Sequence, residues 1–146
     1  MRGRLITGRF STRPMTRVYV AKSRIAGNGC FAARDLEEGE EVGEYRGEII
    51  DENEADRRYD GRDETYLFDI GDGMLIDAEP YEDAIKYINH SCEPNCESYQ
   101  IGKRIVVRTL RAIRKGEELT YDYNLDEERE CHCGTAQCRG TMSKPH

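Results

Sequence analysis

Near the end of this 146-residue chain, residues 131–138 read CHCGTAQC. Thiols in C-x-C-x4-C spacing are ligands for a borderline divalent cation, and a structural zinc takes four such ligands in a tetrahedron. The fourth must come from elsewhere. His132 stands between two of the cysteines and points the wrong way along an extended chain, and His146 is eight residues past Cys138. Cys92 and Cys96 flank Glu93-Pro94-Asn95. Either would complete an all-thiolate site and fold the tail back over residues 89–92.

Two other stretches concentrate reactive side chains. INHSCEPNC, residues 88–96, places amide, imidazole, hydroxyl and thiol consecutively before Pro94, which interrupts regular pairing. Donors gathered this way suit a polar ligand, although a single buried histidine is ordinarily structural. In ELTYDYN, residues 118–124, strand alternation sets Leu119, Tyr121 and Tyr123 on one face and Thr120 and Asp122 on the other. Read singly, such tyrosines are ordinary strand formers. Nine tyrosines against three phenylalanines and no tryptophan shift that balance. Every buried hydroxyl needs a partner, so tyrosine is a costly filler for a dry core. Gly27-Asn28-Gly29 lacks the third glycine of a dinucleotide fingerprint and no long helical pattern follows it, so it reads as a tight turn.

The elements that must carry these residues are short. Residues 17–22 alternate like a strand, and residues 41–45 and 48–50 read as two more. Residues 51–63 permit a helix, with Asp51 as N-cap and Glu54 placed for a capping box. TYLFDI and MLIDA are strands about a Gly-Asp-Gly turn at 71–73, and residues 80–87 allow a short helix. RIVVRT and GEELTYDYN supply two later strands. The expectation is a mainly β fold with few short helices, in one domain by length.

Composition narrows the partners. The net charge is −7, and residues 35–64 hold fourteen acids against four arginines. A field of one sign attracts a ligand of the other, so a basic protein or peptide is favoured. Direct nucleic-acid binding is disfavoured, because phosphate recognition needs a basic footprint. No run approaches the roughly 20 apolar residues of a membrane span. Unevenly spaced cysteines without a secretory leader argue for reduced thiols and an intracellular protein, cytoplasmic in a prokaryote and nuclear in a eukaryote.

Taken in order, GNGCFA, GEYRGEII, YLFDI, IDA, YINHSCEPNC and GEELTYDYN, followed by C-x-C-x4-C, resemble the SET-domain protein lysine methyltransferases that carry a post-SET zinc motif. The likeness runs from about Val18 to Met142. It implies a SET fold of several small sheets in which the C-terminal strand region threads under a loop as a pseudoknot, an exception to the rule against threaded chains. The implied divisions are a basic arm over residues 1–16, a SET domain over 17–125 and a zinc-stapled tail over 126–146.

By position in the family, Cys92 is the fourth ligand of one structural zinc beside Cys131, Cys133 and Cys138, while Cys30 and Cys96 pack as small apolar groups. S-adenosylmethionine, which leaves as S-adenosylhomocysteine, would touch Ala26, Gly27 and Asn28, then Tyr66, Asn89 and His90. At Ala26 and Asn28 relatives often carry bulkier or basic residues, so contacts there would be through the backbone. Tyr123 matches the catalytic tyrosine, with Tyr45 and Tyr121 beside it. Tyr45 and Phe68 would line the lysine channel, and Tyr121 holds the position that limits how many methyl groups fit. The implied activity is mono- or dimethylation of a lysine in a histone or other chromatin or DNA-packaging protein, with an activating partner protein as in some relatives. The competing expectation is a catalytically silent, zinc-stapled module that binds basic peptides.

Overall fold

The computed structural model of the chain describes residues 16–125 and 128–144. The basic arm expected over residues 1–16 lies, save Thr16, outside the described residues.

Four small sheets make the body. Strands β1 (Val18–Lys22) and β2 (Asn28–Ala32) form an antiparallel hairpin. Its turn closes through a hydrogen bond from the Ser23 amide to the Gly27 carbonyl, with Gly27 at φ +44°. β3 (Glu41–Glu44) and β4 (Glu48–Asp51) belong to different sheets. Gly47 permits the bend between them: a Cβ there would lie 2.2 Å from the Asp77 carbonyl oxygen. Helix α1 (Glu52–Tyr59) follows, and then β5 (Leu67–Gly71) and β6 (Met74–Asp77), which pair with β4 in the order β4-β6-β5. A single 3-10 turn (Ala84–Tyr87) leads into β7 (Asn89–His90). β8 (Cys96–Ile101) and β9 (Arg104–Thr109) join β3 in the order β3-β9-β8. Last comes β10 (Thr120–Tyr121), parallel to β7.

The expected helix starts where its cap predicts: the Asp51 carboxylate accepts from the Glu54 amide at 2.8 Å. The capping box is not completed, because the Glu54 carboxylate turns instead to Arg58, one turn along the same face, at 2.7 Å. The helix ends at Tyr59, short of the expected residue 63, since Gly61 takes φ +73°. Its buried face is Ala55 and Tyr59. The Tyr59 hydroxyl donates to the buried Asp77 carboxylate at 2.6 Å, and Arg58 reaches the same carboxylate at 3.0 Å.

One apolar cluster joins the sheets, with Leu36, Ile85, Ile88, Ile105, Val107, Ile113 and Leu119 at its centre. Each such fully buried side chain contributes about 2 kcal/mol. Cys30 and Cys96 lie in this cluster, at 0% and 1% exposure. Burial pushes the Cys96 thiol up to about 12 and Cys30 higher still, so both pack as small apolar groups.

The C-terminal segment is inserted between two earlier parts of the chain. On one side the Leu119 amide donates to the Cys30 carbonyl, and the Glu117 carbonyl accepts from Ala32. On the other, Tyr121 pairs with His90. The strand expected over GEELTYDYN shrinks to Thr120–Tyr121 for a specific reason. The Asn95 side-chain amide donates to the Glu118 carbonyl at 2.8 Å and accepts from the Thr120 amide at 2.9 Å, taking the groups a longer ladder would use.

Candidate functional site

The parallel pair β7–β10 stands between an aromatic row and a cluster of thiols. Tyr45, at the end of β3, meets Phe68 of β5 at a ring distance of 5.3 Å. Phe68 meets Tyr121 at 6.3 Å, Tyr121 meets Tyr123 at 5.2 Å, and Tyr123 meets His90 edge-on at 5.4 Å. Side chains far apart in the sequence thus form one wall of tilted rings, the geometry that aromatic quadrupoles favour. Burial raises the phenol pKa at Tyr45, Tyr121 and Tyr123, so all three hydroxyls stay protonated at neutral pH. The Tyr123 hydroxyl donates to the Ile88 carbonyl at 2.5 Å. Among the described residues, the Tyr45 and Tyr121 hydroxyls make no hydrogen bond.

The His90 ring is 1% exposed and fully engaged. Its Nδ1 accepts from the Tyr123 amide at 3.0 Å, which leaves the proton on Nε2, 3.4 Å from the Cys92 sulfur. Burial holds its pKa below the usual histidine value, matching the neutral ring. Its side chain therefore positions Tyr123, and only its main chain is left for another ligand.

Beside this pair lies the Ser23–Asn28 turn. Ala26, Gly27 and Asn28 are exposed. The Asn89 side-chain amide donates to the carbonyls of Ala26 and Asn28 at 3.0 and 3.1 Å. Tyr66 reaches the neighbourhood through Tyr87, which precedes Asn89, at a ring distance of 5.6 Å. The Lys86 ammonium sits 4.9 Å above the Tyr66 ring. An exposed turn with aromatic rings nearby and a carboxylate, Glu118, behind it fits a cationic nucleoside such as S-adenosylmethionine. Glu118 escaped the reading of the sequence, because nothing in its spacing marks it.

Across β7–β10, the sulfurs of Cys92, Cys131, Cys133 and Cys138 all lie within 4.8 Å of one another. The Cys92–Cys131 separation is 3.8 Å. A tetrahedron with bonds of about 2.3 Å has sulfur–sulfur edges of about 3.8 Å. Main-chain amides donate to three of these sulfurs: Arg139 to Cys92 at 3.3 Å, Cys133 to Cys131 at 3.4 Å and Gly140 to Cys138 at 3.4 Å. The donor set is that of a closed structural zinc site, and it excludes Cys96 and Cys30, which are in the core.

Left to themselves, four sulfurs this close cannot all carry charge. Burial opposes ionisation of Cys133, but hydrogen bonds from the Cys92 main chain and from Thr135 bring it down to about 5. Burial and its thiol neighbours push Cys131 up to about 12. A divalent cation would turn that repulsion into attraction.

A family model described as SET domain matches residues 27–124. The chain belongs to the SET-domain family. It is 44% identical over 133 residues, 84% of its length, to the histone-lysine N-methyltransferase trithorax of Drosophila virilis. It is 41% identical over 148 residues, 92% of its length, to histone-lysine N-methyltransferase 2D of Homo sapiens. To the histone-lysine N-methyltransferase mes-4 of Caenorhabditis elegans it is 34% identical, over 88% of its length. The chain spans only 4%, 3% and 17% of these proteins' own lengths. The matched region is thus a small part of each of these proteins.

Proposed function

We propose that this SET domain transfers methyl groups from S-adenosylmethionine to the ε-amine of a lysine presented by a basic protein. A histone or another DNA-packaging protein is the favoured substrate, and mono- or dimethylation the favoured product. The division into a catalytic domain over 17–125 and a zinc-holding tail over 126–146 is part of the proposal, as is action at chromatin if the cell is eukaryotic. The observation that carries the reading is the continuous row Tyr45–Phe68–Tyr121–Tyr123 ending beside the Asn89-held turn.

When bound, S-adenosylmethionine supplies a methyl group on a sulfonium, which needs only a neutral, aligned nucleophile. At pH 7 only about one free lysine in 2,500 is neutral, a deficit of about 4.6 kcal/mol. The buried rings of Tyr45 and Tyr121 and the half-buried ring of Phe68 desolvate an aliphatic amine between them, and desolvation lowers a lysine pKa. Tyr123 acts by position: its hydroxyl is fixed on the Ile88 carbonyl and its amide on His90. Alignment of this kind is worth several kcal/mol. With its pKa raised, Tyr123 is no general base, so the amine's proton leaves to solvent. The acids between residues 35 and 64 give a basic substrate an attractive approach.

Tyr121 sets the product in this proposal. A phenol with no hydrogen bond among the described residues can hold a water that crowds the amine. Tyr121→Phe should shift product masses toward higher methylation, and an unchanged distribution would count against the role. The activity itself is tested by incubating the chain with isotope-labelled S-adenosylmethionine and a panel of basic proteins, including histones, then mapping labelled lysines by mass spectrometry. Binding of basic peptides that ignores the cofactor, with no label transferred, would instead mark a silent binding module.

A further inference from the structure

Behind the exposed turn the Glu118 carboxylate is held by residues that also form the turn. Both of its oxygens accept from the Ser23 hydroxyl, at 2.9 and 2.7 Å. One of them also accepts from the Asn89 side-chain amide at 3.0 Å. The Ser23 oxygen in turn accepts from the Ile25 amide at 2.9 Å, capping the turn from inside. Gly29 gives the carboxylate its place, since a Cβ there would lie 2.4 Å from a Glu118 oxygen.

Both partners of the carboxylate are neutral: a serine hydroxyl and a side-chain amide. No arginine or lysine forms an ion pair with Glu118 among the described residues. Several other carboxylates of the fold differ in this, while Asp83, which accepts from the Ile85 amide, likewise has no basic partner among the described residues. Asp77 is paired with Arg58, Glu117 with Arg111 and Asp122 with Arg139. After burial, the charge of Glu118 is the largest influence raising the Tyr123 hydroxyl's pKa, with Arg129 acting in the opposite sense. The negative charge of Glu118 therefore reaches the space between the turn, Asn89 and Tyr123.

We propose that Glu118 is the counter-charge of the cofactor's sulfonium, a positioning residue that shapes the turn and favours the cationic methyl donor over its neutral thioether product. This rests on the cofactor reading above. The two ligands share their ribose, adenine, α-ammonium and carboxylate and differ in the transferable methyl group and the sulfonium charge it confers. The change in their ratio of dissociation constants between wild type and a charge-removing variant therefore separates the electrostatic part from the shape of the turn. A unit charge within several ångströms, at the effective dielectric of a half-buried site, is enough to change that ratio by about fivefold or more.

The test is calorimetric titration of the full chain with S-adenosylmethionine and with S-adenosylhomocysteine, for wild type and three variants. Glu118→Gln keeps the size and an acceptor for Ser23. It should weaken the sulfonium ligand at least about fivefold relative to the thioether. Glu118→Asp keeps the charge but loosens the hold on Ser23, and Ser23→Ala keeps the charge and opens the cap. Both should weaken the two ligands together and leave the ratio within about twofold of wild type. Should Glu118→Gln fail to fold, Glu118→Met, which removes the charge at similar length, reads the same ratio and should shift it in the same sense. Equal losses for both ligands in the charge-removing variant, or no loss at all, would overturn the proposal. A wild-type chain that binds neither ligand overturns the cofactor reading itself, a different and distinguishable result.

Discussion

The aromatic row and the thiol cluster flank the same two-residue strand pair, yet they are held by different physics. The row is built into the core: Tyr45 and Tyr121 are 5% exposed and pack against Leu119, Ile88 and their neighbours. Its geometry is a by-product of burying apolar surface, which needs no ligand. The tail has almost no core of its own, and among its described residues only Cys131 and Ser143 are buried. Two bridges, Leu125 with Ser143 and Glu130 with Thr141, a contact from the Gln137 amide to the Glu93 carboxylate, and the pairing of Arg139 with Asp122 hold it in place. Packing fixes one wall of the site, and a handful of polar contacts, with four thiols placed to hold a metal, fix the other.

The largest effect should come from the packed side. Tyr123→Phe removes one hydroxyl from a wall that is otherwise intact. Turnover should fall by roughly two orders of magnitude, while stability changes by only about 1 kcal/mol for the bond to Ile88. Single-turnover rates and thermal melts of the same preparation check both halves. A matching collapse in melting temperature would mean that the row depends on that hydroxyl for its shape.

Chelation probes the other side. Elemental analysis should find one zinc per chain. Stripping it, or replacing Cys131 with Ser, should speed amide exchange over residues 128–144 at least about tenfold and leave 16–125 nearly unchanged. Exchange that rises equally in both regions would erase the distinction between them.

Arg139→Met should act on the tail alone and by less. The pair with Asp122 is bidentate, at 2.9 and 3.1 Å, with both side chains about a quarter exposed. Its loss should lower the opening free energy of the tail by about 1 kcal/mol, seen as faster local exchange with zinc still bound.

Acid gives the smallest effect. Burial alone would raise the Asp122 pKa, but Arg139 and the Asn124 amide hold it below its ordinary value of 3.8. A folded-state pKa below the unfolded one contributes stability that is fully present above the ordinary value and is lost as pH falls from there through the folded-state pKa. Below about pH 4 the tail should therefore loosen first, a difference that exchange rates at pH 3 and 5 would register. Asp77 is lowered in the same sense, by Tyr59 and Arg58 against its burial, so α1 should follow.

Much of this was legible in order and spacing. Residues 131–138 announced a metal site because ligand spacing is local, and hairpin strands such as β5 and β6 announced themselves through alternation about a glycine turn. β8 did not: only Cys96 in it is buried, so its sequence shows no alternation, and it exists because β9 offers it a partner. β2 was missed too, because glycine and asparagine open it. The engaged ring of His90 and the hidden carboxylate of Glu118 were also illegible. Both act on residues that lie far away in the chain and touch them only after folding.

By itself, then, the sequence determined which residue types this protein possesses for holding a metal and lining a channel, and the short elements that carry them, since propensity and spacing act over a few residues. Spacing leaves Cys92 and Cys96 both open as the partner of the tail cysteines, and Cys92 comes only with the family resemblance. The tertiary structure alone decided that His90 faces a sulfur and a backbone amide, and that a carboxylate held by Ser23 and Asn89 stands behind the turn. Those outcomes depend on passing residues 117–121 between β2 and β7. Such long-range insertion is chosen by the burial of the whole core, and no local pattern encodes it.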